Sequence, residues 1–147
     1  MRIISGAQTG VDRAVLDFAM EHNIPCGGGW CPKGRRALDG VIPERYVLKE
    51  TSTRDYAQRT ELNVRDAEWT LVLHRGKMGR GTQLTIRLAT AVHKLLDVVD
   101  IRQPYADMNL AATFVDHEQD VINFAGPSED TDPGVYDATV RFLGLVF

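Results

Sequence analysis

Three stretches of the chain combine glycine with short hydroxyl or amide side chains: SGAQTG (Ser5 to Gly10), HRGKMGRGTQLT (74–85) and AGPSEDTDPG (125–134). Each follows an apolar run and leads into a helix-like segment. The start of a helix leaves backbone N–H groups without partners at the positive end of the helix dipole, so it can seat a phosphate or another anion. Glycine adds a sharp turn and a backbone that a ligand can approach with no Cβ in the way. The candidate contacts are Gly6, Ala7, Gln8, Thr9 and Gly10 in the first turn, Gly79, Gly81 and Thr82 in the second, and Gly126 and Ser128 in the third. One such turn is weak evidence. Three of them at strand ends in one small sheet point to a shared site. SGAQTG is neither a GxGxxG fingerprint nor a Walker-type phosphate loop, so an ordinary dinucleotide or ATP site is not supported.

Between the first two turns, CPKGRR places Lys33, Arg35 and Arg36 within four residues. Arginine forks grip phosphate through two parallel hydrogen bonds and lysine adds a point charge. Trp30 stands beside them, and an aromatic next to cations suits a flat heterocycle with a phosphate tail. On the segment 54–67, Tyr56, Arg59, Asn63 and Asp66 form one polar stripe at helical spacing. Arg59 and Asn63, four apart, can reach one ligand or brace the loops that do. No catalytic constellation emerges. His22, His74, His93 and His117 are scattered, and no two share metal-ligand spacing. Asp12, Asp39, Glu44 and Glu129 are the acids near the turns, with Asp12 or Glu129 as the general base of a hydrolase alternative. Cys26 and Cys31 are too few for a structural zinc site and lack the CxxC spacing, so both read as free thiols.

The elements that must position these residues follow from the apolar pattern. Short unbroken runs at 2–5, 69–74, 95–100 and 121–126 predict strands buried on both faces, as in a parallel sheet. Apolar stripes predict helices over 10–22, 54–67, 81–94 and 134–146. The inward residues would be Val11, Ala14, Val15, Phe18 and Ala19 in the first helix. Ala57, Thr60, Val64 and Ala67 take that place in the second, and Leu84, Leu88, Ala91 and Leu95 in the third. Val135, Ala138, Phe142 and Val146 do so in the last. Alternation of strand and helix gives right-handed crossovers and an α/β doubly wound sheet. The stretch 24–52 is too rich in Gly and Pro for a long helix, with short strands expected at 24–26 and 45–48.

A chain of 147 residues forms one domain, 1–147, with 44% hydrophobic and 25% charged residues, ordinary values for a globular protein. Its formal net charge of −3 argues against general nucleic-acid or anionic-membrane binding. No apolar run is long enough for a membrane span and no leader precedes the first strand, so a cytoplasmic protein is expected.

The motifs SGAQTGVDRAVLDFA, GGWCPKGRRALDG, IPERYVLKET, DYAQRTELNVRDAEWTLVL, GTQLTI and AGPSED together resemble the putative molybdenum-cofactor carrier family, from about residue 3 to residue 143. That family lies in the Rossmann-like superfamily shared with the lysine-decarboxylase-like phosphoribohydrolases and DprA. The resemblance implies a three-layer α/β sandwich with a mostly parallel sheet, assembled as a homo-oligomer (dimer or tetramer). It implies a pocket for a phosphorylated, nucleotide-like small molecule, with molybdenum cofactor (molybdopterin) as candidate cargo. Carried over by position, Gly6, Gln8, Thr9 and Gly10 resemble the first phosphate-side loop, Gly79, Gly81 and Thr82 the second. Arg59 and Asn63 match the superfamily's Arg and Asn before the central strand. Two positions depart. Thr85 stands where the phosphoribohydrolase pattern has its catalytic glutamate, which counts against N-glycoside hydrolysis. Ala7 replaces a glycine of many relatives. The expected function is a binding or carrier protein for a phosphate-bearing heterocycle. The alternatives are a nucleotide hydrolase with a divergent site and a noncatalytic nucleotide-sensing module.

Overall fold

The computed structural model describes all 147 residues. In chain order it contains β1 (Arg2–Ile4), α1 (Val11–Glu21), β2 (Gly29–Cys31), β3 (Arg36–Ala37), β4 (Gly40–Val41), β5 (Leu48–Glu50), α2 (Tyr56–Asp66), β6 (Trp69–His74), α3 (Arg80–Ala91), β7 (Leu95–Asp100), α4 (Ala106–Asp116), β8 (Val121–Ala125) and α5 (Val135–Val146). The central sheet runs β1-β8-β6-β7, every pair parallel. Beyond β1 a single parallel bridge joins Ile3 to Cys26. β2 and β5 form a short parallel pair, and β3 and β4 an antiparallel hairpin. The α/β sandwich expected from the alternating pattern is therefore the observed fold.

The two faces of the sheet differ in chemistry. Ile3, Trp69, Leu71, Leu73, Ile122 and Phe124 share one core with Val11, Val15 and Phe18 of α1, Leu110 and Phe114 of α4, and Phe142 and Leu143 of α5. The α2–α3 side is built from smaller, polar groups: Thr70 and Asn123 on the strands, Thr60 and Asn63 on α2, Thr82 and Thr85 on α3, all buried. This polarity explains two departures from the sequence pattern. On α3 the buried stripe is Thr82, Thr85 and Ala89, whereas Leu84 and Leu88 are half-buried and Ala91 and Leu95 are exposed. β7 is an edge strand rather than one buried on both faces, with Leu95 45% and Val98 41% exposed.

Other differences are local. After the run at 95–100 the sequence pattern gives a helix-like stretch without bounds; α4 lies there, anchored by only two buried apolar residues, Leu110 and Phe114. In 24–52, the strand expected at 24–26 is one bridge, and the one expected at 45–48 falls at 48–50. The β3–β4 hairpin is a further addition to the expected elements, because strands of two residues are too short to show an apolar period.

One carboxylate fastens the Arg45–Tyr46 end of that long segment to α1. Asp17 of α1 accepts hydrogen bonds from the Tyr46 hydroxyl at 3.0 Å, the Tyr136 hydroxyl at 2.7 Å and Arg45 at 3.3 Å. Burial, then Asp17, pushes the Tyr46 phenol up to about 12 and raises that of Tyr136 as well. In the unfolded chain these phenols lose their protons near pH 10, before they do in the folded protein. The folded state therefore holds more protons between pH 10 and 12. The stabilisation is complete below pH 10 and is lost as pH rises through that window. Urea midpoints measured across it should fall steeply for the wild type and less steeply in Tyr46→Phe, where Tyr136 still contributes.

Candidate functional site

The carboxyl ends of β1, β6 and β8 open onto a cleft of about 400 Å³, within the usual range for small-molecule sites. All three glycine turns reach it: Gln8 from the first, Gly79, Gly81 and Thr82 from the second, Gly126 and Ser128 from the third. Arg59 and Tyr56 of α2, Asp12 of α1 and Leu38 of the β3–β4 hairpin complete the wall, together with Arg80, Leu84, Thr85 and Arg87 of α3.

The turns are not equivalent. In the first, Ala7 N–H donates to Ser5 Oγ, Gln8 N–H to Asp12 Oδ2 and Thr9 N–H to Gln8 Oε1. These amides are spent on the loop's own side chains, and Ala7 is fully buried with φ 53°. In the second, the N–H groups of Arg80, Gly81 and Thr82 donate to no protein atom, and Gly79 supplies no side-chain cap. Thr82 is 4% exposed, and its hydroxyl makes no hydrogen bond within the protein. A helix start with three free amides, a free hydroxyl and an open cleft in front is the arrangement that accepts an anion.

The third turn is structural on one side. Ser128 Oγ donates to Thr131 Oγ1, while Glu129 caps α5 by accepting the N–H groups of Gly134 and Tyr136. Glu129 N–H donates to Thr9 Oγ1, and Val11 N–H to the Pro127 carbonyl, which fastens the third turn to the first. Glu129 thus lies outside the cleft with both carboxylate oxygens engaged.

Asp12 is the one carboxylate on the cleft wall. It pairs with Arg59 at 3.2 Å and accepts Gln8 N–H at 3.3 Å. Burial raises its carboxyl above the usual range, while Arg59 pulls the other way. The Arg59 guanidinium lies over the backbone of Gly6, where a Cβ would overlap it. Buried Arg59 Nε has no acceptor in the protein and borders a small cavity with room for one water-sized atom, shared with Asn63, Thr85 and Asn123. Arg59 therefore offers donor capacity beyond its pairing with Asp12.

Other predicted residues stand away from the cleft. Asn63 holds the Trp30 backbone on both sides, accepting its N–H at 2.7 Å and donating to its carbonyl at 3.0 Å. The Trp30 indole donates to Asp66 at 2.8 Å, with Lys49 over its ring. Together these contacts strap β2 to α2. Arg35 is spent on the carbonyls of Ile42, Pro43 and Tyr46. Lys33 is exposed. Arg36 stacks on Tyr56 at 4.9 Å and so braces a ring that does line the cleft. Thr9 and Gly10 face the groove behind the first loop. His74 accepts Gly76 N–H. Sequence reasoning missed Arg80, Arg87 and Leu38. The first two were legible in principle, since with Leu84 they fall at i, i+4 and i+7 from a glycine-marked helix start. Leu38 was not, because the hairpin that carries it joins the cleft through long-range contacts: Gln8 Oε1 accepts Leu38 N–H, and Arg13 forks onto Asp39 at 2.5 and 2.7 Å.

These features define a Rossmann-like α/β protein with a cleft at the carboxyl edge of its sheet. Residues 3–147 match the circularly permutated YpsA SLOG family, and the chain belongs to that family. Among solved structures, the Putative molybdenum carrier protein from Syntrophus aciditrophicus SB is 42% identical, with a TM-score of 0.89 over 99% of this chain and 94% of that one. No curated protein matches. No helix is long and apolar enough to cross a membrane.

Proposed function

We propose that the protein binds and carries a phosphate-bearing heterocycle in this cleft, with molybdenum cofactor (molybdopterin) the first candidate cargo. The observation that carries the reading is the free amide set of Arg80, Gly81 and Thr82 beside the unpartnered Thr82 hydroxyl. Arg59 adds charge at the cleft floor, and Tyr56, held between the Arg36 and Arg59 guanidinium groups, gives the cleft an aromatic wall. The 42% identical relative bears the name of a molybdenum carrier, which supports the choice of cargo. Carriage rather than hydrolysis is favoured because the only cleft carboxylate is engaged by Arg59 and a threonine, Thr85, occupies the neighbouring helical turn.

Mass spectrometry of the natively purified protein should find a phosphorylated heterocycle. In a melting experiment with molybdopterin, GMP, AMP and ADP-ribose, at least one should raise the Tm, by about 2.7 kcal/mol of stabilisation at a hundredfold excess over Kd. An empty spectrum with no shift from any of the four overturns the reading. Thr82→Val keeps the side-chain shape and removes the hydroxyl. It should weaken the active ligand about tenfold, in line with loss of one hydrogen bond to a charged group.

A further inference from the structure

The distribution of unpaired arginines says more about the ligand than its phosphate. Six arginines (13, 45, 59, 65, 75 and 102) are paired with carboxylates. Arg35 and Arg36 are given to backbone carbonyls. Of the remaining five, Arg2, Arg54 and Arg141 lie away from the cleft, whereas Arg80 and Arg87 line it. Both sit on α3 with Leu84 between them, on one helical face. Seven residues at 1.5 Å each set their backbones about 10 Å apart.

One anion seated on the amides of 80–82 is within reach of Arg80 but leaves Arg87, two turns on, with no counter-charge. Between the two cations α3 presents Leu84, and Leu38 of the hairpin adds a second apolar side chain to the cleft lining. We propose, resting on the anion seat described above, that the natural ligand carries two anionic groups at opposite ends of an apolar or aromatic middle. One group occupies the α3 start and the other meets Arg87. The ligand class is thus a two-ended bisanion, a heterocycle phosphorylated at one end and bearing phosphate or carboxylate at the other.

Alkyl phosphates isolate this geometry from base recognition. Calorimetric titration at low salt would compare hexyl monophosphate, hexanediol bisphosphate and propanediol bisphosphate on the wild type, on Arg87→Ala and on Arg141→Ala. The long bisphosphate should bind at least tenfold more tightly than the monophosphate. That ratio should fall to near one in Arg87→Ala and persist in Arg141→Ala. Equal binding of the long bisphosphate and the monophosphate overturns the inference. So does an equal gain from the short bisphosphate, because the two cations then converge on one head group. A ratio preserved in Arg87→Ala also overturns it. In all three cases monophosphate binding keeps the anion seat itself intact. If none of the three compounds binds, the seat fails and this inference with it.

Discussion

Gly81→Glu should abolish phosphate-ligand binding while leaving the protein at least as stable as the wild type. The two effects part company because of where Gly81 sits. It is the second residue of α3, and a Cβ built there meets nothing within 4 Å. Removing a helical glycine gains about 0.5–1 kcal/mol, and a carboxylate near a helix N-terminus adds about 0.3–1 kcal/mol. The same carboxylate stands in front of the free amides of 80–82 and repels the group they would bind. A loss of at least about a hundredfold in affinity, close to 3 kcal/mol, is expected. Thermal melting and calorimetry on one preparation measure both. Gly81→Ala is the control that keeps the stability gain and adds no charge. Undiminished binding by Gly81→Glu would remove the α3 start from the site.

Gly10→Ala should act in the opposite way, destabilising the fold by about 3 kcal/mol or more, a loss seen only when a specific native feature is broken. Gly10 adopts φ 85° and ψ −131°, a backbone region that side chains almost never enter. A Cβ there would also overlap the Pro127 carbonyl, which accepts the Val11 N–H, and would lie 2.8 Å from Ser128 Cα. Strain alone costs about 1–3 kcal/mol. The rest comes from prising apart the first and third turns. Gly28→Ala separates the two contributions, since Gly28 has φ +86° but a methyl group there would meet nothing within 4 Å. Urea denaturation should show a clearly larger loss for Gly10→Ala. Equal losses would mean that the turn-to-turn contact carries no weight.

The candidate site divides along the same line between local and long-range information. The three glycine turns and Arg59 were legible because their cause is local: a strand ends, a helix begins, and glycine is needed where the chain turns. The CPKGRR cluster was a real concentration of charge, yet Arg35 and Arg36 are taken up by nearby carbonyls and the Tyr56 ring. Nothing in a linear sequence records which cations the fold will neutralise. Trp30 misleads for a related reason, since its hydrogen-bonding partners, Asn63 and Asp66, lie more than thirty residues further along the chain.

By itself the sequence determined the α/β alternation, the bounds of the long strands β6 and β7, and the three turns at the carboxyl edge. These follow from hydrophobic period and glycine placement, which act over a few residues. The tertiary structure alone decided that α3 buries threonines instead of leucines, that β7 is an edge, and that the second turn keeps free amides while the first spends its own. Each of those outcomes depends on what packs or hydrogen-bonds from elsewhere in the chain, and burial and pairing are properties of neighbours in space.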